Sequence, residues 1–294
     1  MDHFRETISQ KIQQNRPNLG VSSVKTYVSI LSNLHKNLKA SDDTLGWFSD
    51  DEKKIMEFLS EKPSQTRKSI LSALFVLTGK DAYRELMLKD CGVVNAQYKE
   101  QKKSVKETQN WITVDQIHEI YQGLLGKVQA IFKKSVVGDY STIMSFFLVA
   151  LLGGVLMPPR RLLDWSLMKI RGYDPKADNY IKGNKFYFNR YKTSEKYGLQ
   201  VIDIPKELQT LLRKWIKMND TDYLLFSSNK NPLSSPQINR ILNKAFGKNV
   251  SCDMLRHVYL TETYKNVPAI HDMERTAQEM GHSVQMAMQY VKKD

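Results

Sequence analysis

Between Asn95 and Asn110 the chain carries Lys99, Lys102, Lys103 and Lys106 and almost no apolar residue. A stretch of this kind adds nothing to a packed core, so it reads as a basic linker with a separate core on either side. The 294 residues, 41% of them hydrophobic, suffice to fill both cores. The expected organisation is a helical unit over 1–98, a linker over 99–110 and a second unit over 111–294.

The first part is helical throughout. Val21, Ser22 and Ser23 stand where a cap would open a helix over Val24 to Leu38, with Tyr27, Leu31, Leu34 and Leu38 on one face and Lys25 outside it. Trp47 to Leu59 and Ser64 to Leu77 repeat the pattern, and Asp81 to Met87 makes a further short helix. Arg67 and Lys68 fall in a first helical turn, where the macrodipole favours acids. Two cations there suit a phosphate backbone lying across that end, and equally a solvated basic face.

In the second part Thr113 caps a helix over Val114 to Gly126, and a long helix over Tyr140 to Leu156 delivers Pro158-Pro159-Arg160-Arg161-Leu162-Leu163-Asp164-Trp165. The spacing places Arg161 and Asp164 on one helix face as an ion pair. After Ile170 the period changes. Asn184 to Tyr191 alternates, Ser194 to Gly198 holds turn residues, and Leu199 to Ile204 alternates again, which makes a β-hairpin with Lys192 and Lys196 beside its tip. Helices resume over Lys206 to Lys217 and Gln237 to Phe246. The fold class is therefore mainly α with a small β-hairpin or sheet, an α+β arrangement.

The net charge of +13, from 44 Lys and Arg against 31 Asp and Glu, favours a polyanionic partner, nucleic acid ahead of an acidic membrane. Cys91 and Cys252 fit neither a disulfide framework nor a zinc site, which points to a reducing, intracellular compartment. Met1 to Gln10 lacks the apolar core of a signal peptide, which argues against secretion. The most apolar run, Ile143 to Met157, is shorter than the ~20 residues that a bilayer span needs. No membrane partner is expected.

Past Ser251 come Asp253, Arg256 and His257 at the start of an amphipathic run, then Met280-Gly281-His282-Ser283, then Tyr290. Gly281 reads as a helix stop and Ser283 as a fresh start, so His282 lies at a chain reversal. An arginine, an imidazole at a turn and a late tyrosine can together surround a phosphate, with the phenol as nucleophile. Each alone is ordinary: tyrosines pack at interfaces, and arginines and turn histidines are common surface residues.

Taken in order, Arg161 after an apolar helix, Lys192 on a hairpin, Arg256-His257, His282 after glycine and Tyr290 resemble the tyrosine recombinase/integrase family. The resemblance spans about Trp111 to Tyr290, and the amino-terminal helices resemble the core-binding domain that precedes it. It implies catalytic roles for Arg161, Lys192, Arg256, His282 and Tyr290, the last as nucleophile. Arg161 matches the first family arginine better than Arg160, because Asp164 stands three residues later. Supporting roles fall to Asp164, Asp253 and His257. Lys25, Arg67, Lys68, Lys99, Lys102, Lys103 and Lys106 are candidate DNA contacts.

The resemblance further implies cleavage and rejoining of double-stranded DNA through a 3′-phosphotyrosyl link, by a homo-tetramer on DNA, for integration of a viral or mobile element. The place would be host nucleus or cytoplasm, or the virion. Neither metal nor other cofactor is implied, and the sequence has no metal-ligand cluster or phosphate-cradling glycine loop. Two departures stand out. The family's basic residue three before the second arginine is Asp253 here, and only Val291 to Asp294 follow Tyr290, where family members usually continue with a docking segment. Relaxation of DNA in the manner of a type IB topoisomerase, or a catalytically weakened DNA-binding relative, remain alternatives.

Overall fold

The structure, a computed structural model, describes residues 2–40, 44–134, 140–281 and 283–290. The chain divides into two compact units, Met1–Lys102 together with Pro268–Asp294, and Lys103–Val267.

The first unit opens with α1 (Asp2–Asn15), α2 (Val21–Asn37), α3 (Trp47–Asp50), α4 (Glu52–Ser60), α5 (Ser64–Thr78) and α6 (Asp81–Lys99). Val24, Val28, Leu31 and Leu34 recur at helical spacing on α2 and are buried, so that one stripe faces the core and Lys25 faces solvent. The core joins Ile8 and Ile12 of α1 to Leu31, Phe48, Ile55, Leu74 and Tyr83. The Tyr83 hydroxyl donates to the Phe48 carbonyl at 2.7 Å, which supplies its buried oxygen with a partner. Gly79, at φ +73°, ends α5 in the left-handed conformation that favours glycine.

Helix α6 runs well past Met87, where the sequence pattern had ended it. Its buried face continues through Asp90 and Val94. Asp90 is fully buried because the Arg67 guanidinium pairs with it, Nε at 2.6 Å and Nη2 at 2.5 Å. A carboxylate on the inner face interrupts the apolar stripe and conceals the continuation of the helix.

The second unit contains α7 (Val105–Asn110), α8 (Val114–Lys134), α9 (Tyr140–Leu152), α10 (Leu162–Ser166), β1 (Tyr180–Lys182), β2 (Lys185–Phe188), α11 (Ser194–Tyr197), β3 (Gln200–Asp203), α12 (Lys206–Met218), α13 (Ser235–Phe246) and α14 (Cys252–Thr263). Helix α7 lies within the stretch read as a linker. Ser104 accepts from the Glu107 amide while the Glu107 side chain accepts from the Ser104 amide, a capping box that starts a helix without apolar residues. Helix α8 passes through Gly123 and Gly126 to Lys134 because Val128 and Phe132 extend its buried stripe.

Helix α9 is the centre of this core, with every residue from Phe146 to Leu152 buried. It ends earlier than the expected Leu156, at Gly153-Gly154. A Cβ on Gly154, whose φ is +77°, would stand 2.7 Å from the Tyr259 ring, so only glycine lets the backbone turn this close to α14. The strands form one antiparallel sheet in the order β1-β2-β3. Phe186 and Phe188 point inward and meet Trp165 edge-on, at 4.9 and 5.1 Å. The turn segment between β2 and β3 holds the one-turn helix α11.

The last two helices, α15 (Ile270–Glu279) and α16 (Val284–Tyr290), belong to the first unit. The Ile270 amide donates to the Gln101 side chain at 3.0 Å, and Glu274 pairs with Lys99 at 2.8 Å. Gly281 has φ +73°, and the Ser283 hydroxyl accepts from the Met286 amide at 3.2 Å, so a helix stop at Gly281 and a fresh start at Ser283 are built as the residues suggest. The fold is mainly α with a small three-stranded sheet. No helix among the described residues is long and apolar enough to cross a membrane.

Candidate functional site

Arg160 and Arg161 follow two prolines and precede α10. Arg161 is the residue before the first helical turn, with extended backbone at φ −65° and ψ 149°. It therefore lies off the helix face that the i, i+3 spacing assumed, and the expected Arg161–Asp164 pair is replaced by another. Arg160 Nε donates to Asp164 Oδ2 at 2.9 Å. Its Nη1 donates to Gln200 Oε1 at 2.7 Å, and its guanidinium stacks on the Phe188 ring at 4.0 Å. Arg160 is thus held by a carboxylate, an amide oxygen and an aromatic face. Among the described residues no acceptor holds the half-exposed Arg161 guanidinium.

Asp164 is buried, and its Oδ1 has no hydrogen-bond partner. Burial pushes its carboxyl above the usual range, against the pull of Arg160, Arg161 and Arg256. Of the three, Arg160 is in direct contact with this carboxylate, and Arg161 and Arg256 act on it through their charge. Arg256 reaches it from α14, whose first residue is docked on the arginine turn by the Cys252 thiol, which donates to the Arg160 carbonyl at 3.3 Å.

Burial pushes that thiol up to about 12, so it serves as a neutral donor. Arg256 also meets Asp253, Nη1 to Oδ1 at 3.2 Å, in the position where the resembled family carries a basic residue. Asp253 is exposed, so this pair is open to competition from solvent and from other anions.

The Lys192 segment is tied to the same turn. Asn179, buried between them, donates to the carbonyls of Asp164 at 2.9 Å and Arg190 at 2.8 Å, and accepts from the Arg190 amide at 2.7 Å. The Tyr191 hydroxyl closes the loop by donating to the Gly198 carbonyl at 2.6 Å. Lys192 itself is exposed and has no partner among the described residues. His257 Nδ1 lies 2.9 Å from Glu107 Oε1, which joins α14 to α7. Hydrogen bonds from Ser104, and the nearby His257, hold the Glu107 carboxyl below its ordinary range.

The structure thus gathers Arg161, Asp164, Asp253 and Arg256 in one neighbourhood and ties the Lys192 loop to it. His282 lies outside the described residues, and Tyr290 is the last residue of α16. Asn179 and Gln200 carry no local signal of their part, because each acts through contacts distant in sequence, whereas the i, i+4 spacing of Arg160 and Asp164 is a local signal for their pair.

The candidate DNA contacts divide by their partners. Lys25 and Lys106 are exposed and Lys68 is half-buried, none with an ion-pair partner among the described residues. Arg67 is committed to Asp90, Lys99 to Glu274 and Lys102 to Glu100 at 3.1 Å, while Lys103 stands 3.9 Å over the Trp111 ring. No group of side chains that would hold a metal ion occurs among the described residues.

No family model matches the sequence, and no curated protein matches it. Among solved structures, a lambda integrase dimer bound to a COC′ core site aligns over 99% of this chain and 76% of that chain, with 18% identity and a TM-score of 0.50. The chain shares the lambda integrase fold. A second lambda integrase dimer on the same kind of site aligns over 100% of this chain and 98% of that chain, with 18% identity and a TM-score of 0.49. At this identity the likeness to lambda integrase is one of fold.

Proposed function

We propose that the protein is a site-specific tyrosine recombinase that cleaves and rejoins double-stranded DNA. The observation that carries this reading is the docking of the start of α14, which bears Arg256, on the Arg160–Arg161 turn through the Cys252–Arg160 hydrogen bond, with buried Asp164 beside that turn, in a chain with the lambda integrase fold. In this reading the two guanidiniums grip the non-bridging oxygens of one phosphodiester and stabilise the charge that grows in the transition state. The Tyr290 oxygen forms a bond to phosphorus as the bond to the 5′-oxygen breaks. The phenol, with a free pKa near ~10, loses its proton as it attacks, helped by the surrounding positive charge. Lys192 protonates the departing 5′-oxygen as general acid, and His282 hydrogen-bonds the phosphate.

The product is a 3′-phosphotyrosyl link that conserves the energy of the broken bond. A 5′-hydroxyl from a second duplex reverses the step and exchanges strands. No metal or nucleotide enters the balance. From the order of its candidate site residues, which resembles that of the tyrosine recombinase/integrase family, we assign this chain a tetramer on DNA and a role in integrating a viral or mobile element.

The Asp253–Arg256 pair supports a second reading, a relative that binds DNA and has lost cleavage. A duplex nicked close to the cleavage site separates the two, because the short cut fragment diffuses away and traps the covalent intermediate. The recombinase reading expects a trapped adduct with the wild type and none with Tyr290→Phe, at equal DNA binding. Binding without any adduct favours the weakened relative. Relaxation of supercoiled plasmid without exchange between matched sites favours topoisomerase-like action.

A further inference from the structure

Phe188 and Gln200 are register partners, the last pair of the β2–β3 ladder before the segment that carries Lys192. Arg160 grips both, with its face on the Phe188 ring at 4.0 Å and Nη1 on the Gln200 side chain at 2.7 Å. Its guanidinium also lies 5.2 Å from the ring of Tyr191, the residue before Lys192. Nε meanwhile holds Asp164, and the next residue along the chain is Arg161. A planar fork with one arm on each element fixes their separation in a way that a lysine, with one point of charge, cannot.

We propose that Arg160 is a positioning residue that sets Lys192 against the phosphate held by Arg161. This rests on the recombinase reading, in which Lys192 gives its proton to the leaving 5′-oxygen. Arg160 touches neither phosphate nor leaving group and acts through the base of the loop. Its loss lets the Lys192 loop shift while the phosphate grip of Arg161 and Arg256 persists, so the defect falls on protonation of the leaving group.

The test replaces the leaving oxygen. The junction captured by wild-type protein from a randomised nicked duplex is sequenced first, and the 5′-bridging oxygen at that junction is then replaced by sulfur. A thiolate departs without a proton, so a variant impaired only in general-acid delivery recovers on the sulfur substrate. Arg160→Lys and Gln200→Ala are expected to form the adduct about 10²-fold more slowly on oxygen, with unchanged DNA affinity, and to regain near wild-type rates on sulfur, as Lys192→Ala does. Gln200→Ala cuts only the loop end of the clamp and serves alone if Arg160→Lys does not fold.

Recovery of Lys192→Ala on sulfur without recovery of the Arg160 and Gln200 variants overturns the proposal and leaves the recombinase reading intact. Normal cleavage of the oxygen substrate by both variants overturns it equally, as does a Lys192→Ala defect that sulfur leaves in place. Absence of any adduct with the wild type removes the recombinase reading itself.

Discussion

Arg160 and Arg161 are neighbours in sequence with different surroundings: one is spent on Asp164, Gln200 and Phe188, the other is left without a described partner. On the proposed reading Arg161→Ala and Arg256→Ala each slow adduct formation by about 10²- to 10³-fold, the usual cost of losing one preorganised donor to a developing anion. Single-turnover trapping on nicked DNA measures this, and normal rates in either variant would place the phosphate elsewhere. Asp253→Asn removes the carboxylate that competes for Arg256 and is expected to tighten DNA binding and speed trapping. Its exposure predicts little change in the unfolding midpoint. The order of these residues along the chain is legible in the sequence. Which of two adjacent arginines pairs with Asp164 is not, because it turns on the helix starting one residue after Arg161 and on Gln200, forty residues away.

At the scale of elements, Arg67 of α5 and Asp90 of α6 form an ion pair between the two helices. Arg67→Ala leaves a buried carboxylate without its partner and is expected to cost on the order of 3 kcal/mol in urea unfolding. Adding Asp90→Leu to that variant should recover much of the loss. The Arg67 hydrogen bond holds the Asp90 carboxyl below its ordinary range. The pair therefore stabilises the fold fully above the unfolded value of about 3.9 and loses that effect as pH falls through the lower folded value. Stability curves of wild type and Arg67→Ala should converge in acid, and a constant gap down to low pH would deny the pair this role. The same pair explains why α6 was underestimated from its apolar spacing. Helix α7 was signalled by Ser104 and Glu107, three apart, rather than by hydrophobic residues. Strand β1 spans only Tyr180–Lys182, too short for alternation to show, whereas the alternation of Phe186 and Phe188 made β2 legible.

For the whole molecule the net charge of +13 bears on affinity more than on fold. If the chain contacts six to ten phosphates, DNA binding should weaken by about 10³- to 10⁵-fold between ~50 and ~200 mM salt. A titration showing little salt dependence would count against an extended duplex interface. The central claim concerns which atom attacks phosphorus, and the most direct measurement is the identity of the residue joined to DNA. Wild-type protein trapped on a nicked duplex is digested, and the nucleotide-bearing peptide is sequenced by mass spectrometry. The account predicts one phosphotyrosyl peptide, modified at Tyr290 out of the 14 tyrosines in the chain. A nucleotide on any other residue, or an adduct that persists in Tyr290→Phe, would contradict it.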